Sequence, residues 1–343
     1  MKKNQISART KRTMLIILTV VLSVILVAII IATAYMERML NLINRNPDDS
    51  TMSSSEYQEF MQNQTEEHDP DFTGESLDPG DVDWNVNQET VTDDAHIINI
   101  MLIGQDRRPG EGRTRSDTMI LCSVNTKTKE LSLVSFMRDM YVPIPGYEDN
   151  RINACYAVGG MKLLNQCLAN NFAIHVDGNV EVDFDGFTGV IDLLGGVDLY
   201  LSKSEANFLV QQGYNTKEGM NHLNGAAALL YARVRAIGNG DFSRTARQRK
   251  VLSALLEKCR GMSLNQMKNL TERILPMITT DMTNRQILDY TMEIVPMLGD
   301  LKVTSQRIPA DDTFKYATIR DMSVLVPDLE ANREVLKTIL NKG

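Results

Sequence analysis

Residues 97–104 read Ile-Ile-Asn-Ile-Met-Leu-Ile-Gly, and this run decides the fold that the chain is expected to adopt. A short apolar run that is rich in isoleucine and ends in glycine is typical of a strand buried within a sheet. Residues 118–125 and 130–136 have the same character, and a polar turn over residues 126–129 joins them. Because strands joined so closely pair as a hairpin, these two are predicted to be antiparallel.

Helix and strand patterns alternate along the rest of the chain. Further strands are predicted at residues 178–184, 197–201, 302–308 and 323–325, and helices at residues 161–170, 185–194, 224–233, 241–260, 264–278, 284–297 and 328–340. Asp241 or Ser243 is expected to cap the long helix. Strands mixed with helices throughout predict an α/β fold, in the form of a three-layer α-β-α domain with a mixed central sheet over residues 96–343.

The sequence before this domain predicts a membrane anchor. Residues 14–35 carry no charge and are long enough, at about 1.5 Å per residue, to cross a bilayer as one helix. Five positive charges within residues 1–13 predict that this tail stays in the cytoplasm and that the domain lies outside the cell. A cleaved signal peptide is the alternative, because Ala32-Thr33-Ala34 offers a cleavage site. We therefore expect a single-pass protein of the cell membrane.

Residues 36–95 are predicted to be an acidic, disordered linker. Residues 46–95 hold fifteen aspartates and glutamates and no lysine or arginine, in a chain whose formal net charge is −8. Like charges keep such a segment extended. The acidity of the chain therefore belongs to the linker, and the domain is near neutral. Because nucleic-acid-binding domains are usually basic over a whole face, no nucleic-acid partner is expected.

The four cysteines indicate no zinc site. The chain has no Cys-x-x-Cys pair, which argues against zinc. Buried free thiols are the simplest interpretation, and a disulfide between Cys155 and Cys167 stays open.

Polar residues gather where the first three predicted strands begin or end. Asp106 follows the first strand, Arg115 and Asp117 precede the second, and Arg138 follows the third. If the first strand runs parallel to the third, these residues meet at one edge of the sheet, where ligands collect in such folds. Two carboxylates suit Mg²⁺, which completes its shell with water and phosphate oxygens. Asp106 and Asp117 are therefore predicted to bind Mg²⁺, with Mn²⁺ as the alternative metal. A local ion pair between Arg138 and Asp139 is the competing, purely structural interpretation.

A second group of charges lies in residues 231–250, which read Tyr-Ala-Arg-Val-Arg-Ala-Ile-Gly-Asn-Gly-Asp-Phe-Ser-Arg-Thr-Ala-Arg-Gln-Arg-Lys. Arginine presents a planar fork of donors that matches phosphate oxygens, and it stays charged when partly buried. So many forks predict a polyanionic ligand, while a solvated basic helix face is the competing interpretation. Arg233 and Arg235 point the same way only if the helix opens into extended chain between them, and the glycines at 238 and 240 favour this.

The arginines of the following helix divide by face. Arg244, Arg247 and Gln248 lie at positions i, i+3 and i+4, so they share one face, which is predicted to meet the ligand. Arg249 points elsewhere and is expected to be solvated.

Together these residues fit phosphoryl transfer on a diphosphate. The residues predicted to act in the reaction are Asp117, Arg138, Arg233 and Arg235, and those predicted to bind the diphosphate are Arg115, Arg138, Arg233, Arg235, Arg244, Arg247 and Gln248. The arginines would neutralise the diphosphate and stabilise the leaving group. The chain has no Gly-x-Ser-x-Gly motif and no P-loop, which argues against an elbow-type hydrolase and an NTPase.

Several stretches of the domain resemble the LytR-CpsA-Psr family of bacterial cell-wall ligases. Two of them read Arg115-Ser116-Asp117-Thr118-Met119 and Gly240-Asp241-Phe242-Ser243-Arg244-Thr245-Ala246-Arg247-Gln248, and the others are residues 103–106, 135–146, 151–156, 194–198 and 223–235. They occur in the order found in the family and span residues 97–260, the motif core of the predicted domain. Each stretch is weak alone, whereas the ordered set is specific.

The resemblance implies a transferase. Such an enzyme takes a glycopolymer, for example teichoic acid or capsule, from an undecaprenyl pyrophosphate lipid and attaches it through a phosphodiester to a muramic-acid hydroxyl of peptidoglycan. An apolar tunnel for the prenyl chain is also implied. The metal carboxylates of the family match Asp106 and Asp117, and its pyrophosphate-binding residues match Arg115, Arg138, Arg233, Arg235 and Arg244, with Gln248 nearby. The chain departs from the family at Gln105, where serine or valine is commoner, and at Arg151, where lysine is frequent.

Two other functions stay open at the level of the sequence. A phosphohydrolase would act on the same lipid pyrophosphate with water in place of the sugar hydroxyl, and it would use the same residues. A transcription regulator would use the basic stretch at 231–250 on DNA, but the predicted anchor would place that stretch outside the cell.

Overall fold

The computed structural model describes residues 33–45, 50–62, 74–84, 94–105 and 113–340, with residues 26 and 30. The predicted cytoplasmic tail, most of the predicted anchor, and Asp106 lie outside these residues and remain predictions. Within the described ranges, no helix combines the length and the apolar character that crossing a bilayer requires.

The described residues form strands and α-helices that are interspersed along the chain. The strands are β1 (Asn44–Arg45), β2 (Glu75–Ser76), β3 (Ile97–Gln105), β4 (Ser116–Asn125), β5 (Glu130–Phe136), β6 (Tyr141–Val142), β7 (Asn150–Arg151), β8 (Gly178–Asp183), β9 (Val197–Leu201), β10 (Gly219–Leu223), β11 (Thr279–Thr280), β12 (Lys302–Ile308), β13 (Phe314–Ile319) and β14 (Met322–Pro327). The helices are α1 (residues 33–40), α2 (Ser54–Gln62), α3 (Asn153–Phe172), α4 (Phe184–Leu193), α5 (Lys203–Gln211), α6 (Gly225–Arg233), α7 (Gly240–Arg260), α8 (Leu264–Ile274), α9 (Asn284–Ile294) and α10 (Leu329–Leu340).

The central sheet is mixed, as predicted, with seven strands in the order β1-β11-β8-β3-β4-β5-β12. β3 pairs antiparallel to β4, and β4 pairs antiparallel to β5, so β3 and β5 run in the same direction. β8 runs parallel to β3, and β12 runs parallel to β5. The ends of β3, β5, β8 and β12 therefore lie at one edge of the sheet, together with the start of β4. We call this edge the carboxyl edge.

Helices cover both faces of the sheet. Successive residues of a strand point to opposite sides, so neighbouring residues of one strand pack against different helices. On one face, Met119 and Leu121 join a buried apolar cluster with residues of α3 and α10. On the other face, Ile120 and Val124 join a second cluster with residues of α7 and α9. The near-continuous apolar character of β4 follows from this burial on both sides.

The differences between the predicted and the observed elements have local causes. α3 consists of two helical parts, because Gly159 and Gly160, the latter at φ 63°, have non-helical backbone angles. The second part begins at residue 161 as predicted, and the first part, from Asn153, is not predicted. The sequence patterns do not predict α5, although its capping box, in which Ser202 accepts from the backbone N–H of Glu205, is a recognisable signal. They also do not predict β10 and β13, which pair antiparallel with β9 and β14.

Part of the segment predicted as a linker is folded against the domain. Tyr57 of α2 is 3% exposed, and its ring centre lies 4.8 Å from that of Tyr147. The Tyr57 hydroxyl donates to the carbonyl of Glu148 at 3.2 Å. Trp84 stacks on Tyr141 with 6.3 Å between ring centres. β2 adds a parallel strand to β13.

The prediction of a disordered linker over residues 36–95 is therefore wrong for the described parts of that segment. Met39, Leu40 and Ile43 are likewise buried, in a cluster with Leu275. The physical reason is that a few apolar and aromatic side chains hold short segments to a domain even when the mean composition resembles that of a disordered chain.

Tyr57→Ala is expected to lower the free energy of unfolding by about 3 kcal/mol, because it removes a buried aromatic side chain. Thermal and denaturant unfolding of the protein would measure the change. Glu59→Ala, at an exposed position of the same helix, is the matched control. An unchanged melting temperature for Tyr57→Ala would contradict a contribution of α2 to the fold.

Candidate active site at the carboxyl edge

Asp117 and Arg138 form an ion pair at the carboxyl edge, with 2.7 Å between Arg138 Nη1 and Asp117 Oδ1. Asp117 stands at the start of β4, and Arg138 follows the end of β5. The antiparallel pairing of these strands brings the start of one beside the end of the other. The prediction that the two residues lie together is confirmed. Arg138 is 8% exposed, so its charge requires partners within the protein.

Asp241 is the carboxylate around which three arginines gather. Its Oδ1 lies 2.7 Å from Nε of Arg244, 3.6 Å from Nε of Arg235 and 3.8 Å from Nε of Arg138. The N-cap of α7 is Asn239, so neither Asp241 nor Ser243 occupies the N-cap position as expected. Asp241 lies within the first turn, and Ser243 Oγ accepts from the backbone N–H of Asn239 at 2.7 Å. Because one carboxylate attracts all three guanidinium groups, arginines from three separate segments stand together. We call Arg138, Arg235 and Arg244 the arginine cluster.

Asp139 forms a second bridge between arginines. Its Oδ1 lies 3.2 Å from Nη1 of Arg151, and its Oδ2 lies 3.5 Å from Nε of Arg138. Arg151 is 3% exposed, which places this bridge inside the domain. Burial raises the pKa of the Asp139 carboxyl, and the charge of Asp241 adds to this effect, while the surrounding arginines oppose it. Arg138 thus pairs with Asp139 as the structural interpretation expected, but also with partners far away in sequence.

Arg233 and Arg235 stand where α6 opens into extended chain. α6 ends at Arg233, and Val234 has extended backbone angles, with φ −65° and ψ 129°. The predicted opening of the helix between the two arginines is confirmed. The guanidinium of Arg233 lies over the ring of Phe184, 4.1 Å from its centre. The Arg235 side chain is 41% exposed, so a ligand from solvent can reach it.

Arg115 meets an aromatic ring from the N-terminal segment. Its guanidinium lies 5.3 Å from the centre of the Phe60 ring, a distance at which the ring face attracts the cation. Phe60 belongs to α2, and Arg115 directly precedes β4. The segment predicted as a linker therefore takes part in positioning a residue of the site, which the sequence patterns do not indicate.

Arg247 supports the site from within the domain. Its Nε donates to Glu205 at 2.9 Å, its Nη1 to the carbonyl of Val234 at 2.9 Å and its Nη2 to the carbonyl of Ile237 at 2.7 Å. All three side-chain nitrogens of Arg247 donate hydrogen bonds within the protein. The structure therefore does not bring Arg247 to the surface of the site, where it was predicted to bind the diphosphate. Arg247 instead fixes the loop that carries Arg235.

Arg249 is also buried, so the expectation that it is solvated is wrong. It is 7% exposed, and its Nε donates to Oγ of Ser305 at 2.7 Å. Burial, together with the neighbouring charge of Arg307, lowers the pKa of Arg249 to about 10. The helix period places Arg249 on a different face from Arg244, and that face packs on β12.

Gln248 carries a buried acceptor. The side chain is half-buried on α7. Its Oε1 is buried and has no hydrogen-bond partner among the residues that the structure describes. Because a buried carbonyl without a donor is costly, this atom favours a bound donor or water.

The carboxyl edge offers oxygen ligands of the kind that Mg²⁺ prefers. The Asp117 side chain is 27% exposed and meets Arg138 through Oδ1. Asp106 lies outside the described residues, but it directly follows Gln105, which pairs with Ser116 beside Asp117. In the described parts of the chain, no group of three or more His, Cys, Asp or Glu residues could hold a metal. Carboxylates at this edge fit Mg²⁺ on the condition that water and phosphate oxygens complete its shell.

A family model and curated relatives match most of the chain. The model of the LytR_cpsA_psr family matches residues 51–338. The "Regulatory protein MsrR" of Staphylococcus aureus is 30% identical over 71% of this chain and 75% of its own length. The "Polyisoprenyl-teichoic acid--peptidoglycan teichoic acid transferase TagU" of Bacillus anthracis is 32% identical over 70% of this chain and 80% of its own length.

A solved structure shares the fold. The LytR-CPS2A-psr family protein YwtF (TagT), determined with bound octaprenyl pyrophosphate lipid, has a TM-score of 0.53 and covers 72% of this chain and 91% of its own. Its sequence is 23% identical to this chain, so the likeness concerns the fold.

Asp139→Asn is expected to change the dependence of stability on pH. The folded-state pKa of Asp139 is raised above its ordinary value of 3.8, so its contribution to stability is present at low pH and is lost as the pH rises through the folded pKa. Asparagine does not ionise. The free energy of unfolding of Asp139→Asn should therefore rise relative to that of the unmodified protein between pH 3.8 and neutrality, as measured by denaturant unfolding.

A matched control is expected to show the opposite dependence of stability on pH. The hydrogen bond from Lys129 lowers the pKa of the exposed Asp300, so Asp300→Asn should lose a small amount of stability at neutral pH and none at low pH. A stability difference for Asp139→Asn that is constant with pH would contradict the raised pKa.

Arg247 and Arg235 are expected to differ in what they support. Arg247→Met should lower the free energy of unfolding by roughly 1–3 kcal/mol, because it removes the buried guanidinium that donates to Glu205 and to the carbonyls of Val234 and Ile237. Arg235→Met should leave the melting temperature almost unchanged and weaken the binding of inorganic pyrophosphate. Thermal unfolding and isothermal titration calorimetry measure the two effects. A stable Arg247→Met protein that no longer binds pyrophosphate would return Arg247 to the binding surface.

Proposed function

Because the chain belongs to the LytR-CpsA-Psr family, we propose that it transfers a glycopolymer from a polyprenyl pyrophosphate carrier to peptidoglycan. The observation that carries the proposal is the meeting of the arginine cluster and Asp117 at the carboxyl edge. The comparisons support it, since TagU is named as a teichoic acid–peptidoglycan transferase and the TagT structure was determined with a prenyl pyrophosphate.

The donor pyrophosphate is expected to lie against the exposed side of the arginine cluster. Arg233 and Arg235 offer exposed donors there, while Arg138 and Arg244, which are 8% and 3% exposed, stand behind them. A planar guanidinium group can donate two parallel hydrogen bonds to two phosphate oxygens. Because the buried arginines are poorly screened by water, their charge acts strongly on an anion at this surface. The arrangement therefore favours a ligand with several phosphate oxygens.

The proposed reaction is a phosphoryl transfer. The hydroxyl oxygen of the acceptor sugar bonds to the phosphorus that carries the glycan, and the bond from this phosphorus to the bridging oxygen breaks. The products are a glycan joined to peptidoglycan by a phosphodiester and a polyprenyl monophosphate, and the hydroxyl proton is released. The leaving phosphate gains negative charge, which guanidinium groups already held in place stabilise without reorganising.

We further propose that Asp117, with Asp106, holds Mg²⁺ or Mn²⁺ beside the pyrophosphate. When bound, such an ion neutralises part of the charge on the phosphate oxygens. Arg138 fixes the direction of the Asp117 carboxylate through its 2.7 Å contact. A metal at this edge would therefore meet a carboxylate that is already oriented.

A membrane location follows from the same proposal. The apolar run at residues 14–35 would anchor the chain in the cell membrane, with the N-terminus in the cytoplasm and the domain outside. An anchored domain stays near a lipid carrier, which cannot leave the bilayer.

The burial of the arginines speaks against a role of residues 231–250 in binding DNA. Arg244, Arg247 and Arg249 are 3%, 5% and 7% exposed, so they do not form the accessible basic face that DNA requires. A lipid-pyrophosphate hydrolase would use the same groups as the transferase, and only the fate of the glycan distinguishes the two.

The full-length protein in detergent is expected to move radiolabelled glycan from an undecaprenyl-pyrophosphoryl donor to peptidoglycan fragments when Mg²⁺ is present. Arg138→Ala and Asp117→Asn should each reduce the transfer rate by about 10²–10³-fold, the usual effect of losing one group that stabilises charge in the transition state. Arg285→Ala is the matched control, because that side chain is 91% exposed.

Three outcomes would contradict parts of this proposal. Free glycan phosphate without labelled peptidoglycan would point to a hydrolase. Full transfer by Arg138→Ala would place the active site elsewhere. Full transfer after chelation of divalent cations would exclude the metal from the reaction.

A further inference from the structure

A row of aromatic rings leads from the first turn of α7 to the surface of the domain. Phe242 directly follows Asp241, and its ring stacks on that of Phe314 with 5.8 Å between centres and 27° between planes. Phe314 meets Tyr316 edge to face, with 5.3 Å between centres. We call Phe242, Phe314 and Tyr316 the aromatic strip.

β13 presents the outer two rings of the strip on one face. Phe314 and Tyr316 are two residues apart on this strand, so they point to the same side. Ala317 and Ile319 belong to an apolar cluster and are fully buried. Tyr316 is 45% exposed, whereas Phe314 is partly buried against the main core. The strip therefore runs from the half-buried Phe242 to Tyr316, which solvent reaches.

The guanidinium of Arg307 on β12 lies against the strip, and a neighbouring carboxylate balances its charge. Its guanidinium lies 4.5 Å from the centre of the Phe242 ring and 6.0 Å from that of the Phe314 ring. The same guanidinium is paired with Asp311. The surface thus combines aromatic faces with hydrogen-bonding groups, and this ion pair adds no net charge.

We propose that the aromatic strip binds a saccharide ring of the acceptor glycan, an inference that rests on the proposed transferase function. A pyranose ring has faces of C–H bonds, whose positive hydrogens are attracted to the negative face of an aromatic ring. Its hydroxyl groups can bond to a guanidinium and a carboxylate such as those of Arg307 and Asp311. Because Phe242 follows Asp241 on α7, a sugar on the strip would lie near the first turn of the helix that also carries Arg244.

The charge of the strip favours the acceptor over the donor polymer. A phosphate-rich polymer is best held by cations without an internal partner, as counterion release favours such contacts. Arg307 is already paired with Asp311, so it offers less to a polyanion than to an uncharged sugar. The glycan backbone of peptidoglycan consists of such sugar rings.

Tyr316→Ala is expected to raise the KM for a peptidoglycan oligosaccharide roughly three- to tenfold, the range for losing one aromatic contact. The KM for the lipid donor and kcat should remain close to those of the unmodified protein. Tyr316→Phe keeps the ring and should keep the acceptor KM. Tyr200→Ala, which removes an exposed ring on β9, is the matched control.

Direct titration of the same oligosaccharide into full-length protein, without donor, separates this inference from the proposed function. Binding that weakens in Tyr316→Ala, with no transfer by any variant, would support the strip and contradict the transferase. Transfer with unchanged acceptor KM and unchanged binding in both Tyr316→Ala and Phe314→Leu would overturn the strip. A raised KM for the donor alone would also overturn it, because the strip would then serve the glycan of the donor.

Discussion

The site depends on carboxylates that hold several arginines, which carry like charges, close together. Arg138, Arg235 and Arg244 all approach one oxygen of Asp241, at distances up to 3.8 Å. A nearly buried guanidinium group without a partner would strongly destabilise the fold. Asp241 and Asp139 offset the repulsion, so the cluster persists before a ligand arrives and is already shaped for an anion. The pyrophosphate of the proposed donor would then meet positive charge that the fold has already assembled.

The same basic stretch serves the site and the framework that carries it. Arg244 faces Asp241, whereas Arg247 holds the loop of Arg235 and Arg249 packs against β12. The docking of α7 on the sheet therefore sets the geometry of the arginine cluster as well as the core. Through Phe242, the same helix also begins the aromatic strip, so one element links the proposed pyrophosphate and sugar positions.

The hairpin and the placement of Asp117 beside Arg138 are predictable from the sequence, because a short turn fixes which strand ends meet. The opening of the chain between Arg233 and Arg235 is predictable from the glycines that follow. The roles of Asp139 and Asp241 are not, since each depends on segments that meet only in the folded domain. Helix periodicity separates Arg244 and Arg249 by face, but it does not say whether a face meets solvent or a strand.

The linker prediction fails for a different reason. Mean composition conceals the few side chains, such as Tyr57 and Trp84, that hold acidic segments to the domain. The contact between Phe60 and Arg115 gives this N-terminal segment a part in the site as well as in the fold.

Binding of a lipid pyrophosphate at the carboxyl edge is tested most directly by a crystal structure of the protein with a prenyl pyrophosphate and Mg²⁺. We expect phosphate oxygens within hydrogen-bond distance of Arg138, Arg233 and Arg235, with the metal on Asp117. A pyrophosphate bound away from these arginines, or none at saturating ligand, would contradict the proposed site.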